Sequence, residues 1–200
     1  MSLDTLRMEP RVARLVRELE CREMVEVHDP AARRAAVAIV IRLGEDDEPE
    51  ILFIQRAIFE GDPWSGHIAF PGGREEAGDE TLADTAIREV FEEMAIDLGS
   101  NAELIAALDD LHPRNIRLPA VVVRPFVFLA GDLPDPVLSS EVADSFWVPL
   151  SVLMDRSVWK DATIVAGGVE FSRIAFHHRG YIVWGMTERI LSGMLSLIEP

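Results

Sequence analysis

Thiol chemistry is almost absent from this chain. A single cysteine, Cys21, excludes an intramolecular disulfide and leaves no second thiolate for a metal site. In its helix-like surroundings Cys21 is expected to be a small, partly buried side chain. Long hydrophobic runs are missing as well. Apolar runs such as Val121–Val123 and Phe126–Ala130 are interrupted by Arg124 and Pro125, and none comes near the roughly 20 apolar residues of a membrane span. The first residues carry no apolar h-region, so no secretory signal is expected, and the cytoplasm is the default location. Basic residues are scarce: 19 Lys and Arg stand against 35 Asp and Glu, a formal charge of −16. A polyanionic backbone needs a basic footprint, so nucleic acid is excluded as a partner. A small phosphorylated molecule is not, because bound divalent cations invert the local field of an acidic site.

Neither an internal repeat, a low-complexity tract nor a Gly/Ser linker divides the 200 residues, a length suited to one core. Val12, Leu15, Val16 and Leu19 recur at helical spacing within Pro10–Glu23. Ala35–Leu43 and Ile51–Arg56 read as strands separated by the acidic turn Gly44–Pro49, whose charges are expected to be a solvated surface. A short strand is expected at His67–Phe70, then the turn Pro71-Gly72-Gly73, then a helix from Leu82 to about Ile96. Further strands are expected at Leu104–Leu108, Val121–Leu129 and near Ser145–Val148. A hairpin over Thr163–Phe176 would turn at Gly167-Gly168, and a last helix spans about Trp184–Ile198. Mixed strands flanked by helices define an α/β layered domain over 31–200, preceded by a helical extension over 1–30.

Gly66–Ile96, with the sequence GHIAFPGGREEAGDETLADTAIREVFEEMAI, is where chemistry concentrates. At 100° per residue, Ala83, Ile87, Val90 and Met94 fall within roughly 60°, a core-facing stripe. Glu89, Glu92 and Glu93 share another face of roughly 100°, where their spacings of three and four let the carboxylates converge. Like charges so placed weaken a helix unless they meet solvent or a counter-charge. Hard oxygen ligands suit Mg²⁺ or Mn²⁺. Arg88 is placed to orient a carboxylate through its planar fork. The Gly72-Gly73 pair permits close approach of backbone to a ligand. Asp79 is expected to cap the helix.

These residues resemble the Nudix box, in which a glycine is followed after five residues by an acid and after seven more by R-E-U-x-E-E-x-G-U, U being aliphatic. Arg88-Glu89-Val90-Phe91-Glu92-Glu93 matches its centre and Ile96 its last aliphatic position. Five residues separate Gly73 from Asp79, whereas eight separate Asp79 from Arg88. That extension, with Asp in the first acidic position, resembles the coenzyme A pyrophosphatase branch of the family. Arg56-Ala57, Gly66 and Phe70-Pro71-Gly72-Gly73 are similar to the branch's upstream signature, and Val183–Thr187 to the start of its last helix. Two departures stand out: Ala95 replaces the box's final glycine, and 58–65 contains no Arg where the signature has one.

The resemblance implies a Nudix-like α/β/α sandwich around a mixed sheet and metal-assisted attack of water on a diphosphate bond in a nucleotide-type substrate. Glu89 and Glu93 would be the leading Mg²⁺ or Mn²⁺ ligands, Glu92 a third ligand or an outer partner, and Gly73 a backbone contribution. Arg88 would orient the glutamates. Arg56 is a substrate candidate through the signature. Three other residues have a plainer alternative: His67 contacts phosphate or is a surface histidine, Trp64 stacks on a base or packs its loop, and Glu141 is a distant acid or an exposed loop residue. His112, Arg114 and Arg117 read as loop residues, and His177-His178 as structural, because neighbours on a strand point to opposite faces. Coenzyme A or a derivative is the first substrate reading. A nucleoside triphosphate, nucleotide sugar or dinucleotide is the second, and a non-catalytic ligand sensor the third. Retention of all three box glutamates argues against the third. The oligomeric state stays open, a homodimer included, and no membrane partner is expected.

Overall fold

The computed structural model describes residues 2–61, 64–113, 120–166 and 169–199. Two helices come first, α1 (Leu3–Met8) and α2 (Pro10–Cys21). Six residues are too few to show a period, so α1 has no sequence signal beyond its Ser2 cap, whose hydroxyl accepts from the Thr5 N–H. Pro10 starts α2 where its missing N–H costs nothing, and the Glu9 carboxylate accepts from the Arg11 and Val12 N–H groups. Val12, Leu15, Val16 and Leu19 are buried as their spacing predicts, each side chain worth roughly 2 kcal/mol of apolar burial. Cys21 ends the helix and is exposed rather than partly buried, because the apolar stripe stops at Leu19.

The sheet begins with β1 (Arg33–Leu43), β2 (Pro49–Arg56), β3 (Ile68–Ala69) and β4 (Gly72–Arg74). Next come α3 (Leu82–Met94), α4 (Leu98–Asn101), β5 (Ala102–Ala107), β6 (Val121–Ala130), β7 (Val142–Pro149) and α5 (Leu150–Met154). Seven strands form one mixed sheet along the path β3-β2-β1-β6-β5, with β4 also on β1 and β7 also on β2. Among the described residues only β1 and β6 run parallel, from Arg33↔Val121 to Ile41↔Leu129. The remaining elements, β8 (Trp159–Ala166), β9 (Val169–His178), β10 (Tyr181–Val183) and α6 (Gly185–Leu195), make a three-stranded antiparallel sheet and the closing helix. The expected hairpin is therefore longer and gains a third strand; its expected Gly167-Gly168 turn lies outside the described residues.

Alternation along β1 divides the core. Ala36, Ala38 and Val40 pack against Ala86, Val90 and Met94 of α3. Ile39 and Ile41 pack on the other face with Leu6, Val12, Leu15 and Leu191 of α1, α2 and α6. The result is a helix–sheet–helix sandwich in which the N-terminal helices share the core of the sheet. In the acidic turn Glu45, Asp46 and Asp47 are exposed as expected, and only Glu48 is drawn into contacts. Glu48 takes both Arg11 Nη groups at 3.0 and 2.8 Å and the Ser151 N–H at 2.8 Å, and the Arg11 pairing holds its carboxyl below the usual range.

α3 ends on Ala95, whose φ of 55° places a non-glycine residue in the left-handed region. Glycine there avoids the Cβ penalty. Ala95→Gly is expected to stabilise the protein by about 1 kcal/mol, raising Tm by about 3 °C in a thermal melt. An unchanged or lower Tm would mean the turn is unstrained.

Candidate active site

α3 starts two residues later than an Asp79 cap would require. Thr81 is the N-cap: its hydroxyl accepts from the Asp84 N–H at 3.2 Å and the Asp84 carboxylate accepts from the Thr81 N–H at 2.8 Å, a reciprocal capping box. The buried face is also turned from the expected stripe. Thr85, Ala86, Val90 and Glu93 are buried with Met94, while Ala83 and Ile87 are half-buried. The rotation carries Glu93 under the glycine turn with only 3% of its surface exposed.

That turn is held by strand pairing, Ala36 opposite Gly73 and Val37 opposite Gly72. Gly72 adopts φ +146°, and a Cβ there would lie 2.3 Å from the Ala36 carbonyl oxygen. Its N–H donates to Glu93 Oε2 at 3.0 Å. Gly73 faces the other carboxylate: a Cβ would lie 2.3 Å from Glu89 Oε1. Gly73 thus lets backbone lie against the Glu89 carboxylate, and Gly72 lets its strand lie against β1 with its N–H on Glu93.

Asp79 serves a different purpose from capping. It accepts Arg88 Nε and Nη2, both at 3.0 Å, the Thr85 hydroxyl at 2.8 Å and the Glu76 N–H at 2.9 Å. The Arg88 fork then reaches the Arg74 carbonyl at 2.9 Å, Glu89 Oε1 at 3.1 Å and Glu92 Oε2 at 3.0 Å. One guanidinium therefore ties the loop, the helix start and two box glutamates together. The Arg88 hydrogen bonds hold Asp79 far below the usual carboxylate range. Stability from this group is full above its unfolded pKa and is lost only as pH falls through the depressed folded value. Asp79→Ala is expected to cost roughly 3 kcal/mol, the low end for a broken ion pair because Arg88 keeps two other acids. Urea denaturation checks this; a cost below 1 kcal/mol would reject the clamp.

Burial pushes the Glu93 carboxyl up to about 8; Gly72 and Arg56 pull it down, while Glu89 and Glu141 push it further up. Burial also raises Glu89 against the pull of Arg88, with Glu92 and Glu141 adding to the rise. Glu141 thus belongs electrostatically to the pair although it lies 48 positions beyond Glu93 in the sequence. Backbone contacts bring it there: Val137 and Ser139 N–H groups donate to the Met94 and Glu93 carbonyls, and Ala57 N–H donates to the Glu141 carbonyl at 2.8 Å. A place beside the pair is one of the two readings the sequence offered for Glu141; the contacts that put it there are to backbone and leave no side-chain pattern to read. The Glu92 side chain is 56% exposed and held outward by Arg88. Among the described residues no ready-made group of three His, Cys, Asp or Glu side chains is arranged to hold a metal ion. The donor set nonetheless fits a hard cation, since half-buried Glu89 and buried Glu93, with Glu141 nearby, share only partial counter-charge from Arg88 and Arg56.

The other candidates disperse. His67 meets the Trp184 ring edge-on at 4.7 Å, and Trp64 is half-buried in the loop whose carbonyl accepts from the His67 N–H. His112 lies 3.5 Å from Asp29. Arg114 and Arg117 fall outside the described residues. His177 and His178 pair with Ile182 and Tyr181 of β10.

The layered α/β domain thus gathers its acids on a glycine-loop–helix unit. Residues 32–167 match the family model for the NUDIX domain. The chain is 32% identical over 168 residues to the uncharacterised Nudix hydrolase NudL of Yersinia pestis, covering 84% of this chain and 80% of that one. An uncharacterised Schizosaccharomyces pombe protein is 34% identical over 141 residues, 61% of this chain; the chain spans 43% of that longer relative. In fold it is similar to a MutT/nudix family protein of Enterococcus faecalis, with TM-score 0.55 and 17% identity over 98% of this chain and 73% of that one. The chain belongs to the Nudix family and is a Nudix hydrolase, an enzyme class that cleaves diphosphate bonds in nucleotide-type molecules, generally with divalent metals. Among the described residues no helix is long and apolar enough to cross a membrane.

Proposed function

We propose that this enzyme hydrolyses the diphosphate bond of coenzyme A or a derivative, with Glu89 and Glu93 holding Mg²⁺ or Mn²⁺. The observation that carries the reading is the buried Glu93 carboxylate against the Gly72 N–H, with Glu89 and Glu141 raising its proton affinity. A cation bound there neutralises phosphate charge and favours ionised water. Arg88 keeps Glu89 in place through its hold on Asp79, Gly73 leaves room for that carboxylate, and Arg56 balances part of the charge on Glu93. Glu141 adds a third acid from outside the helix.

Coenzyme A is supported by the eight-residue interval between Asp79 and Arg88 and by the Arg56-Ala57, Gly66 and Phe70–Gly73 pattern. The absence of Arg from 58–65 favours the second reading, a nucleoside triphosphate, nucleotide sugar or dinucleotide. Incubation of coenzyme A with the enzyme and Mg²⁺ or Mn²⁺ is expected to release phosphopantetheine and adenosine bisphosphate. No products from coenzyme A, with turnover of a nucleotide sugar or dinucleotide, would replace the first reading by the second.

A further inference from the structure

Sheet edges attract further strands through their outer N–H and C=O groups, and proteins blunt them with bulges, proline, charge or a covering element. The two sheets differ in this respect. β5, at the end of the path through the large sheet, is broken by a bulge between Leu104 and Ala106. β8, at the end of the small sheet, pairs with β9 over eight consecutive positions, Trp159↔Phe176 to Ala166↔Val169, without a register shift. Among the described residues no other strand lies on its outer side. It has no proline, and Thr163-Ile164-Val165 is a β-branched run. Its charges are Lys160 and Asp161, adjacent and of opposite sign.

Backing is thin as well. β10 pairs with β9 at Phe176, His177 and His178, so the ribbon beyond them has two strands, a marginal arrangement by itself. Ala162, Ile164 and Ala175 pack with Phe171 and Trp184 on one face. Asp161, Thr163, Ser172 and Ile174 are exposed on the other. Charge singles out the same region: residues 159–183 carry three basic residues and two acids, whereas the rest of the chain carries 16 and 33. Two copies meeting elsewhere bring strong like charge together; at the small sheet they do not.

We propose that β8 pairs with β8 of a second copy of this chain, antiparallel about a two-fold axis, joining the two small sheets into one of six strands. Such an interface is isologous, the same surface serving both partners. Directly opposed side chains share a face of the sheet, so the axis passes where one residue stands opposite itself. Ala162 and Thr163, at the middle of the eight residues, give the longest overlap. A centre at Ala162 sets Asp161 against the partner's Thr163 and Lys160 against the partner's Ile164. A centre at Thr163 sets Ala162 against the partner's Ile164. Neither brings like charges face to face, whereas a centre at Lys160 or Asp161 does.

Sedimentation equilibrium of the full chain, at about 0.15 M salt to screen the acidic remainder, is expected to show a species of twice the 22.3 kDa chain mass. Thr163→Asp puts an acid opposite Asp161 in one pairing and opposite itself in the other. It is expected to weaken the association at least about fivefold in either. Thr163→Lys separates the two: it strengthens a pairing centred on Ala162, where it meets Asp161, and weakens one centred on Thr163. Thr163 is exposed, so both variants are expected to melt with the wild type once diluted to single chains. Hydrogen exchange gives a readout local to the strand. Amides of β8 are expected to slow as wild-type concentration rises, and not in Thr163→Asp. A single-chain mass at every concentration overturns the proposal. So does a dimer that neither Thr163 substitution alters, or one whose formation leaves β8 exchange unchanged, since another surface then holds it.

Discussion

Glu93→Gln is expected to lower kcat at least about 10³-fold while making the metal-free protein less sensitive to alkali. The catalytic loss follows from replacing an anionic oxygen ligand by a neutral amide at the most enclosed acid of the site. The stability change follows from linkage. Glu93 is held up to about 8 by burial, against an ordinary value of 4.5. An acid raised on folding takes up a proton between those two values, so its favourable contribution is full below the lower one and is lost as pH rises through the upper one. The slope in that window is about 1.4 kcal/mol per pH unit for one proton. Wild-type stability measured in chelator is therefore expected to fall, relative to Glu93→Gln, between pH 5 and pH 8. Excess Mg²⁺ is expected to remove the difference by stabilising the ionised carboxylate. Parallel pH profiles for the two proteins in chelator would show that Glu93 is not held protonated by its surroundings.

Gly73→Ala separates positioning from folding. The added Cβ would meet Glu89 Oε1 at 2.3 Å and its Cδ at 2.5 Å. Those atoms end a flexible side chain, so the carboxylate swings aside at little cost to stability. Displacing a reacting group by about 1 Å is enough for a loss of about 10²-fold. The expected result is a kcat down about 100-fold with Tm within about 2 °C of the wild type. Gly72→Ala is the contrast: its Cβ would meet the Ala36 carbonyl oxygen at 2.3 Å and the Val37 Cα at 2.6 Å, backbone that cannot rotate away, from a φ of +146°. That variant is expected to unfold several degrees lower. Equal Tm losses in the two variants would contradict the distinction.

Much of the fold was legible because its buried strands are apolar enough to read unaided. Ala35–Leu43 and Val121–Leu129 lie within β1 and β6, and the α2 stripe is buried residue for residue. What escaped depended on partners distant in sequence or on elements too short for a period. β10 has three residues, and the turn before it places Arg179 and Gly180 both at positive φ, 48° and 89°. Among Asp79, Glu80 and Thr81 only the partner at N3 decides the cap, and Thr81-Leu82-Ala83-Asp84 carried that signal. The convergence of Glu89 and Glu93 toward one turn was legible from their spacing. The depth of Glu93 was not: the expected stripe of Ala83, Ile87, Val90 and Met94 leaves it on another face, whereas the small Ala36 and Ala38 of β1 admit Ala86 and turn the buried face toward Glu93.

Glu89 and Glu93 are the proposed cation ligands, and Mn²⁺ binding followed by electron paramagnetic resonance tests this most directly. Titration of the wild type is expected to remove free Mn²⁺ signal saturably. Glu89→Gln and Glu93→Gln are each expected to weaken that binding at least tenfold, and Glu92→Gln, at the exposed position held by Arg88, by much less. Binding that is equal in all four proteins would contradict the assignment, and so would a loss confined to Glu92→Gln.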